Sequence, residues 1–151
     1  MKGLTFALLL ALAAPKEVVK IATPEADAVA KRGQKLEIVV NFTVAAGYHI
    51  NSSKPTLEYL IPTRVEWAPS ALKHLADTFP PPVMKEFGFS PGEKLAVYQG
   101  TQKLSVRFSV PENAALGKMM IEGKLKYQAC DDHACYPPAT ALMSVPVEIK
   151  K

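Results

Sequence analysis

Polar and apolar residues alternate along much of this chain with a period of two, as strands with one covered face do. The clearest run is Gln34 to Ala45, where Leu36, Ile38, Val40, Phe42 and Val44 share one face and Lys35, Glu37, Val39, Asn41 and Thr43 the other. Thr101 to Val110 repeats the pattern with Leu104, Val106, Phe108 and Val110 against Lys103, Ser105, Arg107 and Ser109. Shorter strands are predicted at Glu17 to Ala22, Leu57 to Leu60, Thr63 to Trp67 and Lys94 to Tyr98. The intervening stretches read as connections: a small polar one ending at Gly33, a polar loop from Tyr48 to Pro55, a proline-rich segment over 68–82 with a turn at Ala71 to Ala76, and an aromatic loop from Met84 to Gly92. No helical period lasts beyond two turns. Seven to nine strands at hairpin-like spacing, with prolines in the connections, predict an all-β chain, an immunoglobulin-like antiparallel β-sandwich.

Two further alternating runs converge on the only two cysteines. Met119, Ile121, Gly123, Leu125, Tyr127 and Ala129 share one parity before Cys130, and Ala139, Ala141, Met143, Val145, Val147 and Ile149 share one after Cys135. They predict a hairpin with Cys130 and Cys135 at its closed end. Facing residues at a non-hydrogen-bonded antiparallel position lie roughly 4.5 Å apart at Cα, so the pair can close into a disulfide without backbone rearrangement. Such a bridge is a weak staple, because the loop-entropy relation assigns it about 2 kcal/mol, against nearly 5 for a loop of a hundred residues. Cys130 also carries the parity of the polar face, where a structural half-cystine more often carries the apolar one. Pro137 and Pro138 leave the register of Cys135 open.

With 151 residues and 48% hydrophobic content, the chain is long enough for one domain with its own core. Met1 to Ala14 combines one lysine, an apolar run and a small-x-small ending, which predicts a signal peptide over 1–13 and a domain over 14–151. The apolar run is short of the ~20 residues that span a bilayer, so an exported, soluble mature chain is expected, without a membrane span. Eighteen Lys and Arg against fourteen Asp and Glu, interspersed along the strands, argue for solubility and against nucleic-acid binding. Export makes a disulfide the expected state of the two thiols.

Gly47-Tyr48-His49-Ile50-Asn51, Tyr59-Leu60-Ile61-Pro62-Thr63 and above all Tyr127-Gln128-Ala129-Cys130-Asp131-Asp132-x-x-Cys135-x-Pro137-Pro138 resemble the N-terminal periplasmic domain of the thiol-disulfide reductase DsbD, the disulfide bond corrector family. The likeness runs from about Gln34 to Ile149. It implies an immunoglobulin-like sandwich in the periplasm that takes electrons from a thioredoxin-like donor and reduces disulfides of envelope proteins, a redox relay of the thiol-disulfide oxidoreductase type. Carried over by position, Cys130 and Cys135 are the redox pair, with Cys135 forming the mixed disulfide. Glu86 and Phe87 fall where the family has a cap loop, with Phe87 as the shield and Phe89 as its substitute, and Tyr48 and His49 fall beside the pair. The cysteine spacing is one residue shorter than in the best-known member. The membrane and thioredoxin-like domains of the full reductase are not in this sequence, which implies a donor on another chain.

Thiol-disulfide exchange depends on the attacker's pKa and on access. Asp131 and Asp132 would raise a neighbouring thiol's pKa and protonated His133 would lower it, with no helix N-terminus to help. This predicts a sluggish nucleophile in the free domain, with the carboxylates or His133 managing protons in a docked complex. The same residues also fit plainer roles: solvated acids and a histidine at a loop tip, and a Phe87 packed under its own loop. Two other functions stay open, a binding module with an inert bridge and a copper or zinc site on Cys130, His133 and Cys135 with Asp131 or His49. Trp67 and His74 read as scaffold. The favoured reading needs no cofactor beyond the dithiol and expects a monomer.

Overall fold

The computed structural model describes residues 17–151, so the signal peptide expected over 1–13 lies outside the described residues. Twelve strands follow in order: β1 (Val19–Ile21), β2 (Ala28–Lys31), β3 (Lys35–Val44), β4 (His49–Asn51), β5 (Arg64–Trp67), β6 (Lys73–Thr78), β7 (Val83–Glu86), β8 (Lys94–Tyr98), β9 (Thr101–Ser109), β10 (Gly117–Tyr127), β11 (Ala129–Cys130) and β12 (Ala139–Lys150). There is no helix among the described residues. One sheet runs β1-β3-β9-β6 and a second β2-β12-β10-β5. Every pairing is antiparallel except β2 on β12. The all-β immunoglobulin-like sandwich expected from the alternation is the fold observed.

The alternation is what closes the two sheets on each other. Leu36, Ile38, Val40, Phe42 and Val44 of β3, with Leu104, Val106 and Phe108 of β9, bury against Ile121 and Leu125 of β10 and Met143, Val145, Val147 and Ile149 of β12. Each such side chain contributes roughly 1.5–3 kcal/mol on leaving water. Trp67 links the layers: its ring meets Phe108 edge-on at 5.3 Å and its Nε1 donates to Asp77 Oδ1 at 3.0 Å. Directly across from Trp67 in the β5–β10 register sits Gly123. A Cβ there would lie 2.7 Å from the indole ring and 2.9 Å from Met143 Cε, so the absence of a side chain lets the ring lie down.

A third, smaller sheet, β11-β4-β8-β7, stands at the end of the sandwich that carries the cysteines. Most of it departs from the sequence expectation. His49–Asn51 lies in the segment expected as a polar loop, yet it is a strand with all three residues buried, because it is paired by β11 on one side and β8 on the other. Val83–Glu86 takes up the start of the segment expected as an aromatic loop from Met84 to Gly92; it is a fully exposed edge strand, so its pairing leaves no trace in hydrophobicity. Lys73–Thr78 replaces the expected turn; a bulge between His74 and Ala76 scrambles its alternation. Ala28–Lys31 is likewise a strand inside an expected connection. Conversely, Leu57–Leu60 is not a strand: Leu60 N donates to Leu57 O at 3.1 Å in a turn, and Leu60 is buried beside Phe87, Leu95 and Val97.

Gly123→Ala should cost about 1–3 kcal/mol, the usual range for overpacking a filled core. Urea denaturation followed by the fluorescence of Trp67, the single tryptophan, measures this directly, and an unshifted midpoint would mean that the indole can move aside.

Candidate functional site

Strand β10 pairs with β12 residue by residue from Gly117↔Ile149 to Tyr127↔Ala139. At Gln128 the chain leaves that sheet, and Ala129–Cys130 continue as β11 against Ile50 and His49 of β4. Gln128 secures the changeover: its Oε1 accepts from Asn51 Nδ2 at 3.2 Å and from Ile61 N at 3.4 Å, and its Nε2 donates to Tyr136 O at 3.3 Å. Beyond it Cys130 and Cys135 face each other as an antiparallel bridge, flanked by Asp131 N to Ala134 O at 2.9 Å and Tyr136 N to Ala129 O at 2.8 Å. That pattern is the non-hydrogen-bonded pair the hairpin argument requires. The two residues form a disulfide, with Cα atoms 4.0 Å apart.

The two sulfur-bearing residues differ in access. Cys135 is exposed, whereas Cys130 is 1% exposed. This corrects the expectation that Cys130 keeps the polar parity of its strand. The run of parity ends where the chain changes sheets, and β11 is covered on both faces, so Ala129 and Cys130 are buried together.

Asp131 shapes the two-residue tip at Asp132 and His133. Its Oδ1 accepts from the backbone N–H of His133 and of Ala134, each at 2.8 Å, and its Oδ2 accepts from Tyr136 Oη at 2.5 Å. Stabilised by the tyrosine hydroxyl and the two amides, the carboxyl has its pKa lowered to about 2, and the same bond pushes the Tyr136 hydroxyl up to about 12. Asp132 and His133 are exposed. Tyr136, which the sequence reading passed over, therefore joins the site, with its ring 6.1 Å from that of Tyr48. Its place next to Cys135 was the available signal.

The aromatic loop folds onto this tip. Phe87 is 4% exposed and stacks on the His49 ring at 3.9 Å and 19°, while Phe89 lies parallel to Phe87 at 5.4 Å but is 40% exposed. Lys85 Nζ sits 5.3 Å from the centroid of the Phe87 ring. Glu86 Oε1 accepts from Gly92 N at 2.8 Å and so closes the loop on itself. Glu86, Phe87, Gly88 and Phe89 line one shallow depression with Asp132 and His133. His49 is 1% exposed and, chiefly through burial, its pKa falls to about 4; Lys85 lowers it further and Asp132 and Asp131 oppose the fall. The candidate site residues named from the sequence thus gather at one end of the sandwich, whereas Trp67 and His74 lie away from it, against Phe108. Among the described residues no group of three or more His, Cys, Asp and Glu side chains is arranged to hold a metal ion.

A family model described as "Thiol:disulfide interchange protein DsbD, N-terminal" matches residues 18–146. Among solved structures, the chain is similar to the reduced N-terminal domain of DsbD from Neisseria meningitidis, at 23% identity and a TM-score of 0.49, covering 80% of this chain and 82% of that one. It is also similar to the N-terminal periplasmic domain of ScsB from Proteus mirabilis, at 14% identity and a TM-score of 0.55, covering 86% of this chain and 45% of that one. The second likeness supports the fold. No curated protein matches the chain.

Two titrations test the electrostatics. Removing the acceptor with Asp131→Ala should bring the Tyr136 hydroxyl from about 12 back toward the ordinary value near 10, read as one fewer late-titrating tyrosine by ultraviolet absorbance. His49 has a folded pKa below its unfolded value of 6.5, so its contribution is complete above that value. It is lost as pH falls toward about 4, because the unfolded chain takes up the proton first. Urea midpoints measured across that window should decline in the wild type and decline less in His49→Phe.

Proposed function

The chain belongs to the family of DsbD N-terminal domains, and on that premise we propose that it is a periplasmic redox relay, reached through an N-terminal signal peptide, which takes electrons from a thioredoxin-like donor and delivers them to disulfides of envelope proteins. The observation that carries this reading is the asymmetry of the bridge, with Cys135 open to a partner and Cys130 withdrawn beneath it. A donor thiolate attacks the Cys135 sulfur, the S–S bond breaks, and the electron pair leaves with Cys130. The donor's second thiol then resolves the mixed disulfide, so two electrons and two protons pass to the domain. Delivery to a client runs the same steps in reverse.

In this reading the sandwich carries the pair without depending on it. The bridge closes a loop of separation 5, while the fold rests on the core between the sheets. Asp131, through the turn it holds, sets the presentation of Cys135, and Asp132 and His133 form the rim that a partner meets and where protons are exchanged. Phe87 and Glu86 make the cap, with His49 as its seat and the Tyr48–Tyr136 pair beside the tip. Parallel rings of this kind add roughly 0.5–1.5 kcal/mol beyond area burial, which a docking partner must overcome to lift the loop. Free Cys130 and Cys135 thiols are slow nucleophiles here, because Asp131 and Asp132 disfavour a thiolate beside them. No helix among the described residues is long and apolar enough to cross a membrane, and the domain works as a monomer.

Trapping tests the relay. Cys130→Ser, with Cys135 free, should capture thioredoxin-like donors and clients as mixed disulfides in the envelope, whereas Cys135→Ser should capture none. Equal trapping by the two variants would overturn the assignment of Cys135. The bridge should also equilibrate with dithiothreitol without loss of the folded signal; resistance to reduction, or unfolding upon it, would point to an inert bridge. Losing the stack in Phe87→Ala should speed that reduction by about two- to tenfold, the factor by which an open cap becomes more populated.

A further inference from the structure

His49 Nε2 is buried and has no hydrogen-bond partner. Buried polar atoms are nearly always satisfied, so an orphan calls for a reason. Among the described residues Asn41 Oδ1 and Asn51 Oδ1 share the condition, but an amide oxygen only accepts, whereas a ring nitrogen can take up a proton. Register places this nitrogen. His49 lies directly across from Cys130 in the β4–β11 pair, and Cys130 lies directly across from Cys135 in the hairpin. Partners across a ladder project from the same face. The imidazole, the inner sulfur and the outer sulfur therefore form one row, open to solvent at Cys135 and closed at its other end by His49 under the Phe87 ring.

We propose that His49 Nε2 accepts the proton of the Cys130 thiol when the dithiol closes to a disulfide. The inference rests on the exchange reading above. In the delivery direction, the Cys135 thiolate attacks a client disulfide and forms a mixed disulfide, and one client sulfur departs as a thiolate. Cys130 must then lose its proton to attack Cys135, but at 1% exposure it has little access to water that could take it. The proton moves to Nε2, an S–S bond forms between Cys130 and Cys135, and the second client sulfur leaves with the bonding electrons. The imidazolium releases its proton to solvent when the cap opens, and the two client thiolates take up protons from water, which balances the exchange. The charged groups around the ring are Lys85 on β7 and Asp131 and Asp132 at the tip, and the cap faces it with the rings of Phe87 and Phe89. The two carboxylates favour a transient imidazolium, and Lys85 limits its lifetime, which suits a proton held only during closure.

The test follows the reduced full chain reacting with an aromatic disulfide reagent that releases one coloured thiolate when Cys135 attacks it and a second when Cys130 closes the bridge. His49→Phe keeps a ring in the stack and removes the nitrogen. Its second release should slow by about a hundredfold, the lower end of what a positioned acid–base group supplies. The pH midpoint of that release should move up, past the ordinary thiol value of about 8.5, because burial and the two carboxylates disfavour an unassisted Cys130 thiolate; the first release serves as the internal reference. An unchanged second release with an unchanged pH midpoint overturns the role of His49 and leaves the relay standing. A reduced wild-type protein that releases no coloured thiolate takes down the relay, and this inference with it. Should the variant not fold, nitrogen NMR of the wild type decides: reduction should shift the Nε2 resonance of His49 as it gains the thiol hydrogen bond, and a resonance indifferent to redox state overturns the proposal.

Discussion

Gln128 sits where one strand leaves the main sandwich and enters the small sheet at its end, and its carboxamide bonds to three separate segments. The ladder with β12 cannot simply run on past Tyr127↔Ala139, because Pro138 and Pro137, next in line opposite Gln128 and Ala129, have no N–H to donate; the Gln128 bonds decide where the released strand goes. A continued ladder would leave the cysteines on a freely waving ribbon. The transfer instead seats Cys130 against His49 of β4 and leaves Cys135 on the outer side. The difference in exposure between the two cysteines, on which the proposed exchange depends, comes from this change of neighbours and not from the character of cysteine itself.

The cap follows from the same transfer. Once His49 is held beside Cys130, its ring offers a flat apolar surface, and Phe87 covers it at 3.9 Å. Burial keeps the ring neutral, which makes the stack compatible with a dry interface; a charged imidazolium there would have to be solvated or paired. Phe87 also packs with Leu60, Leu95 and Val97, and the loop is braced internally, with Glu86 bonded to the amide of Gly92 and Ser90 Oγ donating to the carbonyl of Glu93. A preformed loop held through one buried ring and its neighbours would have to lift as a unit, the motion that the proposed shield requires. The tip is rigid by contrast, because Asp131 ties both of its amides and the Tyr136 hydroxyl to one carboxylate.

Much of this was legible in the residues. The long strands β3, β9, β10 and β12 read correctly because each has one face in the core and one in water, the condition under which alternation is visible. The elements that were missed violate that condition: β4 is buried throughout, β7 is exposed throughout, and β6 carries a bulge. The site residues were legible as a motif and through the resemblance it carries. The mistaken polar parity of Cys130 has the same origin as the missed strands, because period-two reasoning assumes that a strand keeps the same neighbours.

The sequence alone determined an all-β sandwich, a hairpin with two cysteines at its tip, and the candidates for the cap, since each depends on local pattern or on a contiguous motif. Which sulfur is open, which aromatic ring covers the histidine, and the alignment of His49, Cys130 and Cys135 in a row were decided by tertiary structure. Those features join residues from about 49, 87 and 130 along the chain. Only the packing of a third sheet against the end of the sandwich brings such distant segments within reach of one another.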